Sequence, residues 1–313
     1  MADRQSGAAA GADARLPLRQ DTLRGIGLIC TGFAVIAVAD AAVKWALPEV
    51  GVAVAMIWRG AVGMIVIAAL VRGRGLWPRR KPLMAIRSTL HCAVTVAFYV
   101  AWINGMGLAD TYAVNAAAPL LMTLLAIPIL GERVGWRRWA STCVGFAGVL
   151  VMLQPGGDLW RWEAAMLLAG VCLLALTRLW MRVLAATDTP GAIAFWLLAA
   201  HLPLGVLLLP FFPPLAPIFP SWPVVIALGL VGVANGGAHF LFARAFAIAP
   251  VSALAPYEYT TLIWGGVLGF LIWTEVPAWT TLVGAGVVIA AGLYNLHREG
   301  VRRREAARHA AAT

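Results

Sequence analysis

Runs of about 20 mostly apolar residues recur along this chain, separated by short connections, and a run of that length is what an α-helix needs to cross a bilayer. Ten can be drawn, at residues 24–47, 52–71, 84–106, 110–130, 138–154, 163–184, 190–210, 223–246, 252–273 and 279–297. In hydrocarbon every backbone N–H and C=O must be satisfied internally, which leaves helices or closed barrels. The runs are long and unbroken, without the alternating pattern of about ten residues that barrel strands show. With 61% hydrophobic and 12% charged residues, the chain has too few polar groups to cover a soluble exterior. The expected fold class is an all-α membrane protein with ten transmembrane helices.

The net charge of +10 comes from arginines clustered between the apolar runs. That is the pattern of cytoplasmic loops in membrane proteins, not of a nucleic-acid surface. Arg15, Arg19 and Arg24 precede the first run; Arg72, Arg74, Arg79, Arg80 and Lys81 follow the second; Arg133, Arg137 and Arg138 follow the fourth; Arg298 and Arg302 to Arg304 follow the last. The alternate connections carry Glu49, Asp110, a mixture of Asp158, Arg161 and Glu163, a proline-rich uncharged loop, and Glu275. All basic clusters therefore fall on one side, which places both termini in the cytoplasm. Residues 1–22 are expected to be a disordered cytoplasmic tail, and the first run a membrane helix, not a signal peptide. Cys30, Cys92, Cys143 and Cys172 all sit inside apolar runs, without metal or redox spacing.

Two stretches share an outline. Asn115 to Glu132 and Pro256 to Glu275 are apolar, each ends in glutamate, and each has a tryptophan four residues further on, Trp136 and Trp279. Counting back equally from the two glutamates reaches Asn115 and Glu258. A half of five helices, repeated, enters the membrane upside down, so two inverted five-helix repeats are expected, at residues 23–155 and 160–297, with a basic cytoplasmic tail at 298–313. Secondary transporters commonly have this architecture, with the solute site near the midplane.

Polar groups inside the runs are the candidates for that site, because a charge at the bilayer centre costs about 2.5–3.5 kcal/mol on insertion scales. Asp40 and Lys44 share one face of the first helix, and Arg59 lies as far after the hairpin turn as Asp40 lies before it. This predicts Asp40 near Arg59, either as a structural ion pair or facing the solute path. Asn104 and Asn115 flank the third connection and read either as an interhelical hydrogen bond or as solute contacts. Arg178 lies deeper than Arg182, and Arg244 reaches the headgroups. Glu258, between Tyr257 and Tyr259, is the leading candidate for solute binding or proton coupling, with an ion pair to Arg244 or Arg178 as the structural alternative. His239 lies at comparable depth. His91 and His201 read as hydrogen-bonded core.

Trp77, Trp136, Trp139, Trp160, Trp162, Trp222 and Trp279 fall at span ends, as an interfacial belt does. Trp102, Trp180, Trp196 and Trp264 are candidates for a pocket wall, where aromatic faces stack on planar or cationic ligands. Gly232 and Gly236 predict close helix contact. The chain contains no phosphate loop, HExxH site or GxSxG elbow. No catalytic residue, metal site or cofactor is assigned. The candidate binding or coupling set is Asp40, Arg59, Trp102, Asn104, Asn115, Arg178, His239, Glu258, Tyr259 and Trp264.

The chain resembles the drug/metabolite transporter superfamily, in its ten-helix EamA-like branch. The resemblance rests on Asp40-Ala-Ala-Val-Lys44, Trp58-Arg59-Gly60, Ala118-Pro119-Leu120 and Gly131-Glu132. In the second half it rests on Ala255-Pro256-Tyr257-Glu258-Tyr259-Thr260, Thr274-Glu275-Val276-Pro277, Gly284, Gly286 and Gly292-Leu-Tyr. It implies a central cavity and alternating access without ATP, and looks closest to the lineage of S-adenosylmethionine and riboflavin uptake permeases. The function it implies is secondary transport of a small organic solute across the cytoplasmic membrane, with a proton-coupled exporter of amino acids or related metabolites as the alternative. The implied partners are the solute, membrane lipid and, as a coupling ion, protons.

Overall fold

The computed structural model describes residues 19–130, 136–153, 162–215, 220–249 and 251–312. The first 18 residues, and with them most of the expected tail, lie outside these, as do Glu132, Arg133, Asp158, Trp160 and Arg161. Among the described residues all regular structure is helical. The helices are α1 (Arg19–Leu70), α2 (Lys81–Ile103), α3 (Leu108–Asn115), α4 (Ala118–Leu130), α5 (Trp136–Leu153), α6 (Trp162–Ala185), α7 (Pro190–Leu208), α8 (Trp222–Ile248), α9 (Val251–Leu254), α10 (Thr260–Trp273) and α11 (Trp279–Ala312).

α1 is two helices in sequence, broken at Gly51, whose φ of 78° and ψ of 171° no residue with a Cβ adopts easily. The limbs run in opposite directions against α8. Gly25 lies against Ala249 and Gly32 against Phe242, while Gly63 meets Gly232 and Gly236. The chain therefore reverses at Gly51, as the separate runs 24–47 and 52–71 predict. The tight seam with α8 is built from small residues: a Cβ on Gly232 would collide with Val62, and one on Gly236 would stand 3.3 Å from the Gly63 carbonyl. Without a hydrophobic drive between helices in lipid, close approach of this kind carries the association.

Two predicted spans are interrupted. The run 110–130 becomes α3 and α4, separated at Ala116 and Ala117. In the run 252–273, α9 gives way to a 3-10 turn, Ala255–Tyr259, before α10 begins. Pro256 lies in that turn, where its missing N–H removes one helical hydrogen bond. α10 stops at Thr274, which has a positive φ of 55°, with Glu275 N–H donating to the Gly269 carbonyl.

Loop contacts distinguish the two ends of the bundle. At one end the connections 70–81 and 185–190 meet, Arg79 N–H donating to Asp188 and the Thr189 hydroxyl to the Gly75 carbonyl, each at 2.6 Å. At the other, Glu49 accepts from Ser221, and Pro213 and Leu215 cover Gly51. Trp136, Trp162, Trp222 and Trp279, each the first residue of its helix, and Trp77, in the connection before α2, are each more than 60% exposed, as belt residues are.

Candidate functional site

Asp40, Arg59, Trp102, Asn115, Arg178 and His239 of the predicted set line one cavity between α1, α2, α3, α6, α8 and α10. α2 supplies the longest wall, from Arg87 to Trp102, which at the helical rise is about 22 Å. The cavity volume is about 90 Å³. Sites for drug-sized ligands run about 300–1,000 Å³, so a solute of that size requires the flanking helices to move apart.

Asp40 and Arg59 both face this cavity, as their matched depths predict, but the ion pair is not made. The Tyr112 hydroxyl donates to Asp40 Oδ2 at 2.7 Å. Arg59 donates from Nη2 to His239 Nε2 at 3.1 Å and from Nη1 to the Tyr99 hydroxyl at 3.5 Å. Arginine has no acceptor atom, so Nε2 of His239 is the unprotonated nitrogen and the ring's proton sits on Nδ1. The imidazole is thus a neutral partner, and the charge of Arg59 stays uncompensated by contact. Arg59 Nε and Asn115 Oδ1 are buried with no hydrogen-bond partner. Lys44 pairs with neither: it turns to Glu275.

Two ion pairs lie on either side of Asp40 along α1, one beyond the cavity lining and one in its wall. Lys44 bonds Glu275, whose Oε2 also accepts the Leu108 N–H at 2.8 Å, and its ammonium stands 4.6 Å from the Trp273 ring centroid. This joins α1, α3 and the end of α10 on the Gly51 side. On the opposite side Arg178 of α6 bonds Glu258 of the 3-10 turn and lies 5.5 Å from the Phe33 ring centroid. Glu258 therefore stands behind Arg178, bonded to the wall and not itself part of the lining. Of the two partners expected for it, the structure selects Arg178. Arg244 is exposed, 5.9 Å from the Phe240 ring, as a headgroup-level residue is.

Three of the predicted set lie away from the cavity. Asn104 ends α2, exposed, with its amide donating to the Val100 carbonyl at 2.8 Å. It is not at the depth of Asn115, because the chain turns at Gly105 (φ 87°) and α3 begins only at Leu108. Trp264 is 38% exposed, on the outer face of α10. Tyr259 is buried against Gly292 instead of the cavity. Trp196 donates to the Leu76 carbonyl at 2.8 Å and lines a separate groove between α2 and α7.

Sequence reasoning missed Arg87, Tyr99 and Tyr112. Arg87, 2% exposed, is held by the Thr177 and Ile193 carbonyls at 3.0 and 3.5 Å. His91 does more than fill core: its ring packs edge-on to His239 at 5.2 Å and lies 6.2 Å from that of His201. The signal available was spacing. Arg87, His91, Thr95 and Trp102 recur on one helical face, as polar residues lining a cavity do. Among the described residues no cluster of histidine, cysteine and carboxylate side chains has a metal-binding arrangement.

A bundle of apolar helices surrounding a polar and aromatic cavity is an arrangement that membrane transporters use for their solutes. Residues 23–154 match the EamA-like transporter family. It is 27% identical over 228 residues to the Riboflavin transporter of Rhizobium johnstonii, covering 72% of this chain and 74% of that protein. It is 28% identical to the S-adenosylmethionine uptake transporter of Rickettsia prowazekii, covering 63% and 67%. It is 26% identical to the Pseudopaline exporter of Pseudomonas aeruginosa, covering 81% and 89%. A protein crystal structure 17% identical in sequence shares the fold with a TM-score of 0.63, covering 91% of this chain and 99% of that one.

Proposed function

We propose that this protein is a secondary transporter of the cytoplasmic membrane that takes up a small cofactor-like solute, of the kind represented by riboflavin or S-adenosylmethionine, by alternating access. The observation that carries the reading is a polar cavity with an ion pair on either side of Asp40 along the helices, Lys44–Glu275 towards the Gly51 turn and Arg178–Glu258 away from it. Breaking one pair while the other holds exposes the cavity to one side at a time. The energy comes from a gradient of the solute or of a coupling ion.

Ten spans in two inverted five-helix halves account for the two interrupted segments, one in each half, at Ala116–Ala117 and at the 3-10 turn. Broken helices at corresponding positions are where transporters of this kind place their binding sites. The end carrying Arg72, Arg74, Arg79, Arg80 and Lys81 faces the cytoplasm, as do both termini. Glu258 acts in coupling through its pair with Arg178: a proton on Glu258 releases Arg178 to the cavity. The groove lined by Trp77, Lys81, Met84 and Trp196 faces lipid.

A second reading, export of a metabolite in exchange for protons, draws on the similarity to the Pseudopaline exporter, which covers more of the chain. The experiment that separates them is uptake of labelled riboflavin and S-adenosylmethionine by cells lacking their own uptake systems, with and without this protein. Accumulation above background supports uptake. Faster efflux from preloaded cells without accumulation supports export.

A further inference from the structure

Asp40 and Arg59 are opposite charges, 91% and 95% buried, that line the same cavity yet bond only to neutral groups. A buried charge without a counter-charge is expensive, and two such charges in reach of one cavity ordinarily pair. Here each is held away from the other. Tyr112 anchors Asp40 through Oδ2, and Tyr99 and His239 anchor the two terminal nitrogens of Arg59. The anchors come from α2, α3 and α8, so the separation is imposed by three elements, not by one rotamer. Arg59 Nε retains an unused donor, and Asn115 Oδ1, on the same cavity wall, an unused acceptor.

We infer that the cavity recognises a zwitterionic amino-acid head on its solute, with the carboxylate on Arg59 and the ammonium on Asp40. Such a head supplies each protein charge with the counter-ion it lacks, and its second N–H reaches an acceptor such as Asn115 Oδ1. The solute's body lies along Phe98, Tyr99 and Trp102, whose rings stack on planar groups. The other cavity arginines are committed elsewhere, Arg178 to Glu258 and Arg87 to backbone carbonyls. While Arg178 is held by Glu258, as in this structure, Arg59 is therefore the cation left for the solute. This rests on the transporter reading, and it separates the solutes that reading leaves together: S-adenosylmethionine carries an amino-acid head, and riboflavin carries none.

The test uses two probes with a common body. S-adenosylhomocysteine and 5′-methylthioadenosine are both adenosine thioethers, and only the first has the amino-acid head. Binding of each to the full chain in nanodiscs is measured by tryptophan fluorescence, with riboflavin alongside. The expected result is at least tenfold tighter binding of S-adenosylhomocysteine, falling to within about twofold of 5′-methylthioadenosine in Arg59→Gln and in Asp40→Asn. Arg59→Lys keeps part of the preference. If either neutral variant does not fold, the wild-type ratio still decides. A ratio near one, no binding of S-adenosylhomocysteine, or a preference that survives both neutral substitutions overturns the assignment. Riboflavin uptake without head discrimination overturns it too and leaves the transporter reading standing. Absence of any solute movement in the uptake experiment removes that reading instead.

Discussion

Arg178 on α6 and Glu258 in the turn ahead of α10 form an ion pair whose side chains are 13% and 4% exposed. Both charges have left water, so their mutual attraction is spent mostly on their own desolvation. The pair's value lies in holding α6 against the interrupted segment. Truncating Glu258 to alanine is expected to lower stability by about 3–5 kcal/mol, because it strands a buried guanidinium. Replacing both residues by leucine should recover most of that loss. Thermal unfolding of the two variants in the same detergent checks this.

The Lys44–Glu275 contact differs, since Glu275 is 24% exposed and also accepts the Leu108 N–H. Lys44, 8% exposed, keeps little water of its own, so Glu275→Gln leaves its ammonium without a counter-charge and should lower the melting temperature. The drop should be smaller than for Glu258→Ala, because the amide oxygen still accepts from Lys44 and from the Leu108 N–H, and this end loosens. A cysteine placed at Tyr112 should react at least twofold faster with a membrane-impermeant thiol reagent in the Glu275→Gln background, measured by mass shift over time.

The seam between α1 and α8 tolerates no side chain at Gly232, where a Cβ meets Val62. Gly232→Val should cost at least about 1–3 kcal/mol from overpacking. Gly237, where an added Cβ would meet no atom within 4 Å, is the control. Gly237→Ala should be neutral or slightly stabilising, since a helix favours alanine. Paired melting curves separate the two.

Gly51 carries the reversal between the limbs of α1 with φ 78°, and a Cβ there would also lie 3.3 Å from the Pro213 carbonyl. Gly51→Ala should destabilise by about 1–3 kcal/mol. The expected signature is a reduced yield of folded monodisperse protein, read by size-exclusion chromatography.

The apolar runs were legible because the bilayer demands about 20 such residues per crossing, whatever their packing. The break before Ala118 was not: Ala116 and Ala117 are the strongest helix formers, and only tertiary packing overrides that preference. Depth was also legible for Asp40 and Arg59, whose equal spacing from the turn at Gly51 brings both to the cavity, but not for Asn104, which the turn at Gly105 keeps from the level of Asn115. Rotation about the helix axis was not. Arg87 sits near the start of α2, where arginines normally reach for headgroups, yet turns inward to the carbonyls of α6 and α7. Glu258 had two plausible partners at similar depth, and the facing of α6 against the 3-10 turn decides for Arg178. Trp264 has the composition of a pocket residue but points outward.

The central claim is gradient-driven movement of a solute through the cavity between Lys44–Glu275 and Arg178–Glu258. Counterflow in proteoliposomes tests it most directly: vesicles loaded with unlabelled S-adenosylmethionine or riboflavin, without ATP, are diluted into a trace of the same labelled compound. The account predicts a transient accumulation of label inside, at least about fivefold less with Arg59→Gln for a solute bound through that residue. No accumulation of either compound, or accumulation equal to that of protein-free vesicles, would contradict it.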